Sequence, residues 1–377
     1  MTRFFKFLAT IAVTGFLSGC NLVVMQPSGD IARQQRDLIV VSTLLMLLII
    51  LPVIFLTLFF AWKYRESNTD ASYRPDWHHS TRLEVLIWSA PLAIIIALGA
   101  VTWASTHQLD PYRPLARLDA ARQLPPNEKV MTVQVVALDW KWLFFYPELG
   151  IATVNELAAP VDVPISFKLT ASSVMNTFYV PALAGMIYTM PGMQTRLHAV
   201  INREGSFDGF SANYSGDGFS RMRFTFLGMR RDGFDAWVEK VRQQGKSLDR
   251  ATYLELERPS KRDPVRYFGV VEKGLYDRIL NLCVAEGKIC MNEVMHRDLH
   301  GPGEAPAVDK SQLEYDNRHS SSGRPGATFP ASGKPAHSHD EIRREGPSAT
   351  HAPAEPSEPG SGHRQPQTTS PPTEQGD

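Results

Sequence analysis

The side chains with the greatest chemical reach are few in this chain of 377 residues. It has three cysteines, Cys20, Cys283 and Cys290, and between residues 108 and 295 its only histidine is His198. A dinuclear copper centre needs two imidazoles and bridging thiolates, and a mononuclear blue-copper site needs two histidines and a cysteine. That stretch can furnish neither set, so no metal site and no catalytic residue is expected here. Cys283 and Cys290 have another chemistry open to them. In an oxidising compartment they can pair, but on one unbroken helix they would stand about 10.5 Å apart, beyond the roughly 7 Å limit for bridging. Gly287 could supply the necessary turn; without it two free thiols remain. Glu84 stands at the mouth of an uncharged segment, where a carboxylate is either a solvated interfacial group or one that collects and relays protons.

These residues are placed by elements that live in different solvents. With 39 basic and 39 acidic side chains the net charge is zero, which removes the electrostatic case for a nucleic-acid partner. The 25 residues between Asp37 and Lys63 and the 25 between Glu84 and Asp110 carry no charge at all. As helices they rise about 37 Å against about 30 Å of hydrocarbon, so membrane spans are expected over about 38–62 and 84–107. Trp62 and Tyr64 close the first, and Trp77, Trp88 and Trp103 bracket or line the second, as rings at the headgroup boundary do. The loop 63–82 contains Lys63, Arg65, Arg74 and Arg82, so the positive-inside rule puts it in the cytoplasm. Residues 1–19 read as an export signal, with Arg3 and Lys6 ahead of an apolar run that is too short to span. The run ends in Leu17-Ser18-Gly19-Cys20, which resembles the bacterial lipobox: small residues admit the peptidase and the Cys20 thiol accepts the lipid. Residues 20–110 would then form the hairpin of a lipoprotein in the bacterial inner membrane, with its N-terminus and large C-terminal domain outside.

Beyond residue 110 the periodicity changes. Met131 to Leu138, Trp140 to Tyr146, Val163 to Leu169, Thr195 to Ile201 and Met222 to Leu227 are strand-length apolar runs separated by turn residues, the pattern of an all-β sandwich over 111–230. Helices are expected at Phe234 to Gln244 and Gly274 to Ala285, within a C-terminal helical appendage over 231–300. Residues 301–377 hold 12 of the 27 prolines and five residues from Val, Leu, Ile, Phe, Met, Trp and Tyr, the composition of a disordered tail. His337 and His339 there read as part of a solvated linker.

Residues 170–227 carry a specific resemblance. Thr170-Ala-Ser-Ser-Val-Met-Asn-Thr-Phe-Tyr-Val-Pro181, Gly192-Met-Gln-Thr-Arg-Leu197 and Tyr214-Ser-Gly-Asp-Gly-Phe-Ser-Arg-Met-Arg-Phe224 are similar to subunit II of haem-copper terminal oxidases. Cytochrome c oxidizing members of that family hold dinuclear copper through an early His and a Cys-x-Glu-x-Cys-x3-His-x2-Met loop. Here the His position is Asn176, and the loop reads Ser211, Asn213, Ser215, Phe219 and Met222. Only the methionine is kept. This pattern of loss resembles the subunit II of bo-type ubiquinol oxidases, which need no external copper relay.

The resemblance implies a copperless cupredoxin-like sandwich on a two-helix transmembrane hairpin, in a non-redox subunit of a proton-pumping quinol oxidase. Haems and copper would belong to subunit I, the partner that also handles quinol, with other oxidase subunits and membrane lipid as further partners. Glu84, in Ser80-Thr-Arg-Leu-Glu84, matches the family's glutamate at the cytoplasmic entrance of a proton channel in subunit I. Trp140 and Trp142 fall where copper-bearing relatives place an aromatic patch for electron entrance; without copper, sandwich packing or contact with subunit I is the better assignment. Two alternatives are a copper-bearing cytochrome c oxidase subunit and a membrane-anchored scaffolding lipoprotein.

Overall fold

The computed structural model describes residues 22–70, 76, 78–299 and 312–313. Residues 1–19 (expected to be an export signal), Cys20, Arg74, Trp77 and nearly all of residues 301–377, with His337 and His339, lie outside the described residues. Two long helices come first, α1 (Asp30–Lys63) and α2 (Thr81–Gln108), with Pro52 and Pro91 inside them. Both are long and apolar enough to cross a membrane, and none of their most apolar stretch is buried within the chain. Leu58, Phe55, Ile95 and Ile96 are all at least 64% exposed. Such faces suit lipid and would aggregate in water.

α1 begins eight residues ahead of the uncharged segment because its first turn is built into the sandwich. The amides of Ser28 and Gly29 both donate to the Ala182 carbonyl at 2.8 Å, and Gly29 forms an antiparallel bridge with Ile201. A Cβ on Gly29 would lie 2.4 Å from the Leu183 carbonyl oxygen, so only glycine can pass there. Next to it the buried Asp30 carboxylate accepts from Arg117 Nε at 2.8 Å and from Gln34 Nε2 at 2.8 Å. A buried charge needs such partners, and here they fix the hairpin to the domain that follows.

Among the described residues twelve strands form two sheets. They are β1 (Met131–Leu138), β2 (Lys141–Tyr146), β3 (Ile151–Val154), β4 (Glu156–Pro160), β5 (Pro164–Ala171), β6 (Asn176–Tyr179), β7 (Ile187–Thr189), β8 (Thr195–Val200), β9 (Gly205–Ser211), β10 (Arg223–Met229), β11 (Lys246–Leu248) and β12 (Arg266–Val271). One sheet has the order β11-β12-β3-β2-β1-β5-β8 and the other β4-β10-β9-β6-β7. β1 pairs parallel with β5, and β4 parallel with β10, so this is not a simple meander.

The larger sheet is covered on both faces, and β2 shows what that demands of the sequence. Trp142, Phe144 and Tyr146 enter the core between the sheets, while Leu143 and Phe145 enter a second core on the outer face. All six residues of β2 are buried, hence the apolar run Trp142–Tyr146 after Lys141 in place of alternation. The outer core is supplied by the C-terminal appendage. Its helices are α3 (Arg231–Gln244), α4 (Arg250–Glu257), α5 (Leu275–Leu280) and α6 (Met291–Leu299), and it also adds β11 and β12 to the large sheet, which the sequence reading did not anticipate. Phe234, Trp237, Val238 and Val241 form the buried face of α3, as their spacing predicts. The helix expected to run to Ala285 stops at Leu280. Leu282 and Gly287 both take positive φ, +53° and +75°, and the turn brings Cys283 and Cys290 to a Cα separation of 4.8 Å in a disulfide.

Candidate functional site

The loop that would hold copper in the oxidase fold runs from the end of β9 to the start of β10. Asn176 opens β6 beside it. Asn176, Ser211 and Asn213 enter neutral hydrogen bonds there. The Ser211 hydroxyl lies 3.1 Å from Asn176 Oδ1, to which it donates, and accepts from the Thr177 amide at 3.4 Å. Asn176 Nδ2 donates to the Val174 carbonyl at 3.2 Å, and Asn213 Nδ2 to the Met175 carbonyl at 3.2 Å. Asn176 and Ser211 are 1% and 4% exposed, so their polar atoms need these partners.

The remaining positions have become packing. Met222 is wholly buried and belongs to the core between the sheets; its carbonyl accepts from the Ser211 amide at 3.2 Å. Phe219 sits edge-on to Tyr214, ring centroids 5.8 Å apart. The Ser215 carbonyl accepts from Trp140 Nε1 at 3.0 Å. Amides and hydroxyls are hard, neutral donors, whereas copper in this fold is held by thiolate, imidazole and thioether. The residues present therefore do not fit a copper centre. His198 offers no substitute: it lies on β8, at the edge of the other sheet, where burial and the adjoining Arg196 push its imidazole pKa down. No group of three or more His, Cys, Asp or Glu side chains that could hold a metal occurs among the described residues.

Beneath the loop the two tryptophans are structural. Trp140 takes φ +67° in the tight β1–β2 turn, which lays its ring under the loop. A Cβ on Gly218 would come 2.2 Å from that ring, so the glycine is required by close approach. Trp142 is 0% exposed and meets Phe178 and Phe224 in edge contacts at 5.5 and 5.7 Å. Neither ring is displayed for an external electron donor. Between them Lys141 is also buried, and its ammonium donates to the Arg258 carbonyl at 2.9 Å and lies 3.4 Å from Asp263. Burial pushes Lys141 below the ordinary lysine range against the pull of Asp263. Burial alone would raise Asp263, but the Ser260 hydroxyl and the charges of Lys141 and Arg266 hold its carboxyl below the usual range. This cluster ties the appendage to the sandwich under the loop. A lysine between two tryptophans on a strand reads from sequence as an outward residue, so nothing signalled it.

Glu84 lies in the first turn of α2, at the end of the hairpin away from the sandwich. Its Oε1 is 2.9 Å from His79 Nδ1, with both side chains just over half exposed. His79 Nε2 in turn lies 3.1 Å from the Thr81 hydroxyl. His79 stands five residues before the carboxylate in the connecting loop.

The fold and this altered loop define a class: subunit II of the haem-copper oxidases, in a form whose copper ligands have been replaced. Residues 150–226 match the family described as cytochrome c oxidase subunit II, periplasmic domain, and residues 242–287 match the COX Aromatic Rich Motif. The chain is 51% identical to cytochrome bo(3) ubiquinol oxidase subunit 2 of Pseudomonas aeruginosa, over 72% of this chain and 79% of the relative. It is 49% identical to ubiquinol oxidase subunit 2 of Acetobacter aceti, over 73% and 89%, and 39% identical to quinol oxidase subunit 2 of Bacillus cereus, over 67% and 84%. The chain belongs to the ubiquinol oxidase subunit 2 family. Among solved structures, the periplasmic domain of subunit II of Bradyrhizobium japonicum cytochrome oxidase aligns with 21% identity and a TM-score of 0.30, over 32% of this chain and 98% of that one.

Proposed function

We propose that this chain is the non-redox subunit II of a proton-pumping quinol oxidase, in which subunit I carries the haems and copper, oxidises ubiquinol and reduces oxygen to water. The observation that carries this reading is the loop at 211–222, where hydroxyls, amides and packed side chains occupy every copper-ligand position except Met222. An electron arriving at the sandwich from a soluble donor has nowhere to stop, so the donor has to reach subunit I through the membrane.

In this reading the hairpin crosses the inner membrane out, in, out. The arginine- and lysine-bearing loop is cytoplasmic, the sandwich is periplasmic, and Cys20 carries lipid after removal of residues 1–19. A lipid adds about 0.8 kcal/mol per buried methylene to an attachment that two spans already secure, so it sets position more than it holds. Glu84, at the cytoplasmic end of α2, delivers protons to the channel of subunit I. Affinity purification of the chain from detergent-solubilised membranes, followed by a reduced-minus-oxidised spectrum, tests the assembly. Haem co-purifying in fixed ratio is the expected result; a chain that purifies free of haem would leave only a scaffolding lipoprotein.

A further inference from the structure

The end of the hairpin that joins the sandwich holds two cavities that run into one another. The first, about 340 Å³, lies where α1, the segment after α2 and β8 meet, and it is polar: Gln34, Gln35, Asp110, Arg113, Arg117 and His198 line it. The second, about 430 Å³, lies between α1 and α2, with Leu38 and Val41 on one side and Val101 and Ala104 on the other. Gln34, Gln108, Leu109 and Arg117 border both, so the two form one groove. We infer that this groove binds one glycerophospholipid of the outer leaflet, with its phosphate at Arg113 and Arg117 and one acyl chain between α1 and α2. This rests on the hairpin crossing the membrane with the sandwich outside, and not on the identity of the electron donor.

Depth favours a lipid. Asp37 and Asp110 are the charges that end the two uncharged segments on this side, so they mark the headgroup level, and the polar and apolar halves of the groove meet there. From Val101 to Leu109 the second cavity follows α2 for about 12 Å, against about 15 Å for one leaflet of hydrocarbon. Left empty, a space of this size forfeits the dispersion contacts of its walls. Water is a poor filling, because Leu38, Val41, Val101 and Ala104 offer it no polar side chain. Both volumes lie in the range of ligand sites, about 300–1,000 Å³.

The charges in the polar half match a headgroup. The buried Asp30 carboxylate accepts from Arg117 Nε at 2.8 Å and Nη2 at 3.2 Å, which leaves Arg117 Nη1 without a hydrogen bond to the described residues. Arg113 donates Nη1 to the His107 carbonyl at 3.1 Å and forms no ion pair among the described residues. Asp110 Oδ1 accepts from the Tyr112 amide at 2.9 Å, and Asp37 is paired with Arg36. His198 is held neutral at pH 7, since burial and Arg196 push its pKa down. With Asp30 committed to Arg117, the polar lining retains Arg113 and Asp110, one charge of each sign. A phosphoethanolamine headgroup carries the complementary pair, phosphate for the guanidinium and ammonium for Asp110, and arginine's planar fork suits phosphate oxygens. An acyl chain on Cys20 would bring these arginines no phosphate.

The test uses the assembled complex in detergent, stripped of loosely held lipid and titrated with phosphatidylethanolamine, with bound lipid counted by native mass spectrometry. Wild type should take up one phosphatidylethanolamine more than Ala104→Phe, whose added ring fills the groove from an exposed position. Arg113→Gln should need about 10- to 100-fold more lipid to fill that site, the loss expected for a hydrogen-bonded charge. Arg33→Gln, a change outside both cavities, should titrate like wild type. The haem spectrum reports assembly separately, and a chain that purifies without haem can be titrated in the same way, so failure of the oxidase reading is distinguishable from failure of this one. Equal lipid counts and equal titrations in all four proteins would overturn the proposal. So would a count that ignores Arg113→Gln but rises in Cys20→Ser, which would put the chain's own acyl group in the groove. Preferential uptake of phosphatidylglycerol would overturn the headgroup assignment.

Discussion

Replacing Glu84 with alanine slows turnover of the assembled oxidase about tenfold or more, while haem content and spectrum stay at the wild-type level. The direction follows from placement: Glu84 sits in the first turn of α2 with its side chain over half exposed, and it makes no contact with either core. Its removal should leave folding and assembly intact and act on proton delivery alone. Positioned proton-transfer groups contribute about 10²–10⁴-fold in general. An entrance group sits at the lower end or below, because water can reach the channel mouth without it. Glu84→Asp should recover part of the rate, since a carboxylate remains at a slightly different reach. Turnover unchanged in Glu84→Ala would remove this residue from the proton path.

Trp142→Ala destabilises the β-sandwich domain by about 3–5 kcal/mol, the range for deleting a fully buried aromatic side chain. The indole fills the centre of the core, in contact with Phe178 and Phe224, and Phe144 also meets Phe224 at 5.1 Å, so the surrounding rings cannot collapse inward without breaking their own geometry. For a domain of about 150–250 residues each kcal/mol lowers the melting temperature by about 2–4 °C, which gives a drop of about 6–20 °C by calorimetry. Trp142→Phe should restore much of the stability and leave quinol turnover at the wild-type rate. A Trp142→Phe oxidase that folds normally but turns over slowly would mean that the ring carries electrons after all.

How far the fold was legible follows from solvent and register. The two membrane helices were plain because lipid admits no charge for 25 residues at a time. β1 was placed residue for residue at Met131–Leu138, since alternation held at its start and turn residues bounded it. β3, β4, β6, β7 and β9 were not read. They are short, and Gly205-Ser-Phe-Asp-Gly-Phe-Ser211 in β9 contains two glycines and an aspartate, which argue locally for a turn. Tertiary contact decides there: a Cβ on Gly209 would lie 2.1 Å from the Phe224 ring, so the glycine is needed for sheet packing. The reason for β11 and β12 is related: β12 pairs with β3, more than 90 residues earlier in the chain, and β11 pairs only with β12.

The site divides in the same way. The replacement of the copper ligands was legible because a missing cysteine or histidine is missing in any fold. That Asn176 and Ser211 would hydrogen-bond to one another was not, because 35 residues separate them. His79 could have been found: it stands in the loop five residues before Glu84, at a spacing that a turn entering a helix can close. Lys141 could not, since its burial depends on an appendage that wraps around from residues 258–266.

In the proposed function, electrons bypass the sandwich. The most direct test is oxygen consumption by the complex purified through this chain, with ubiquinol or reduced cytochrome c as the only donor. Rapid consumption with ubiquinol and none above background with cytochrome c is the result this account predicts. Sustained oxidation of cytochrome c, with copper bound to the exported domain, would contradict it.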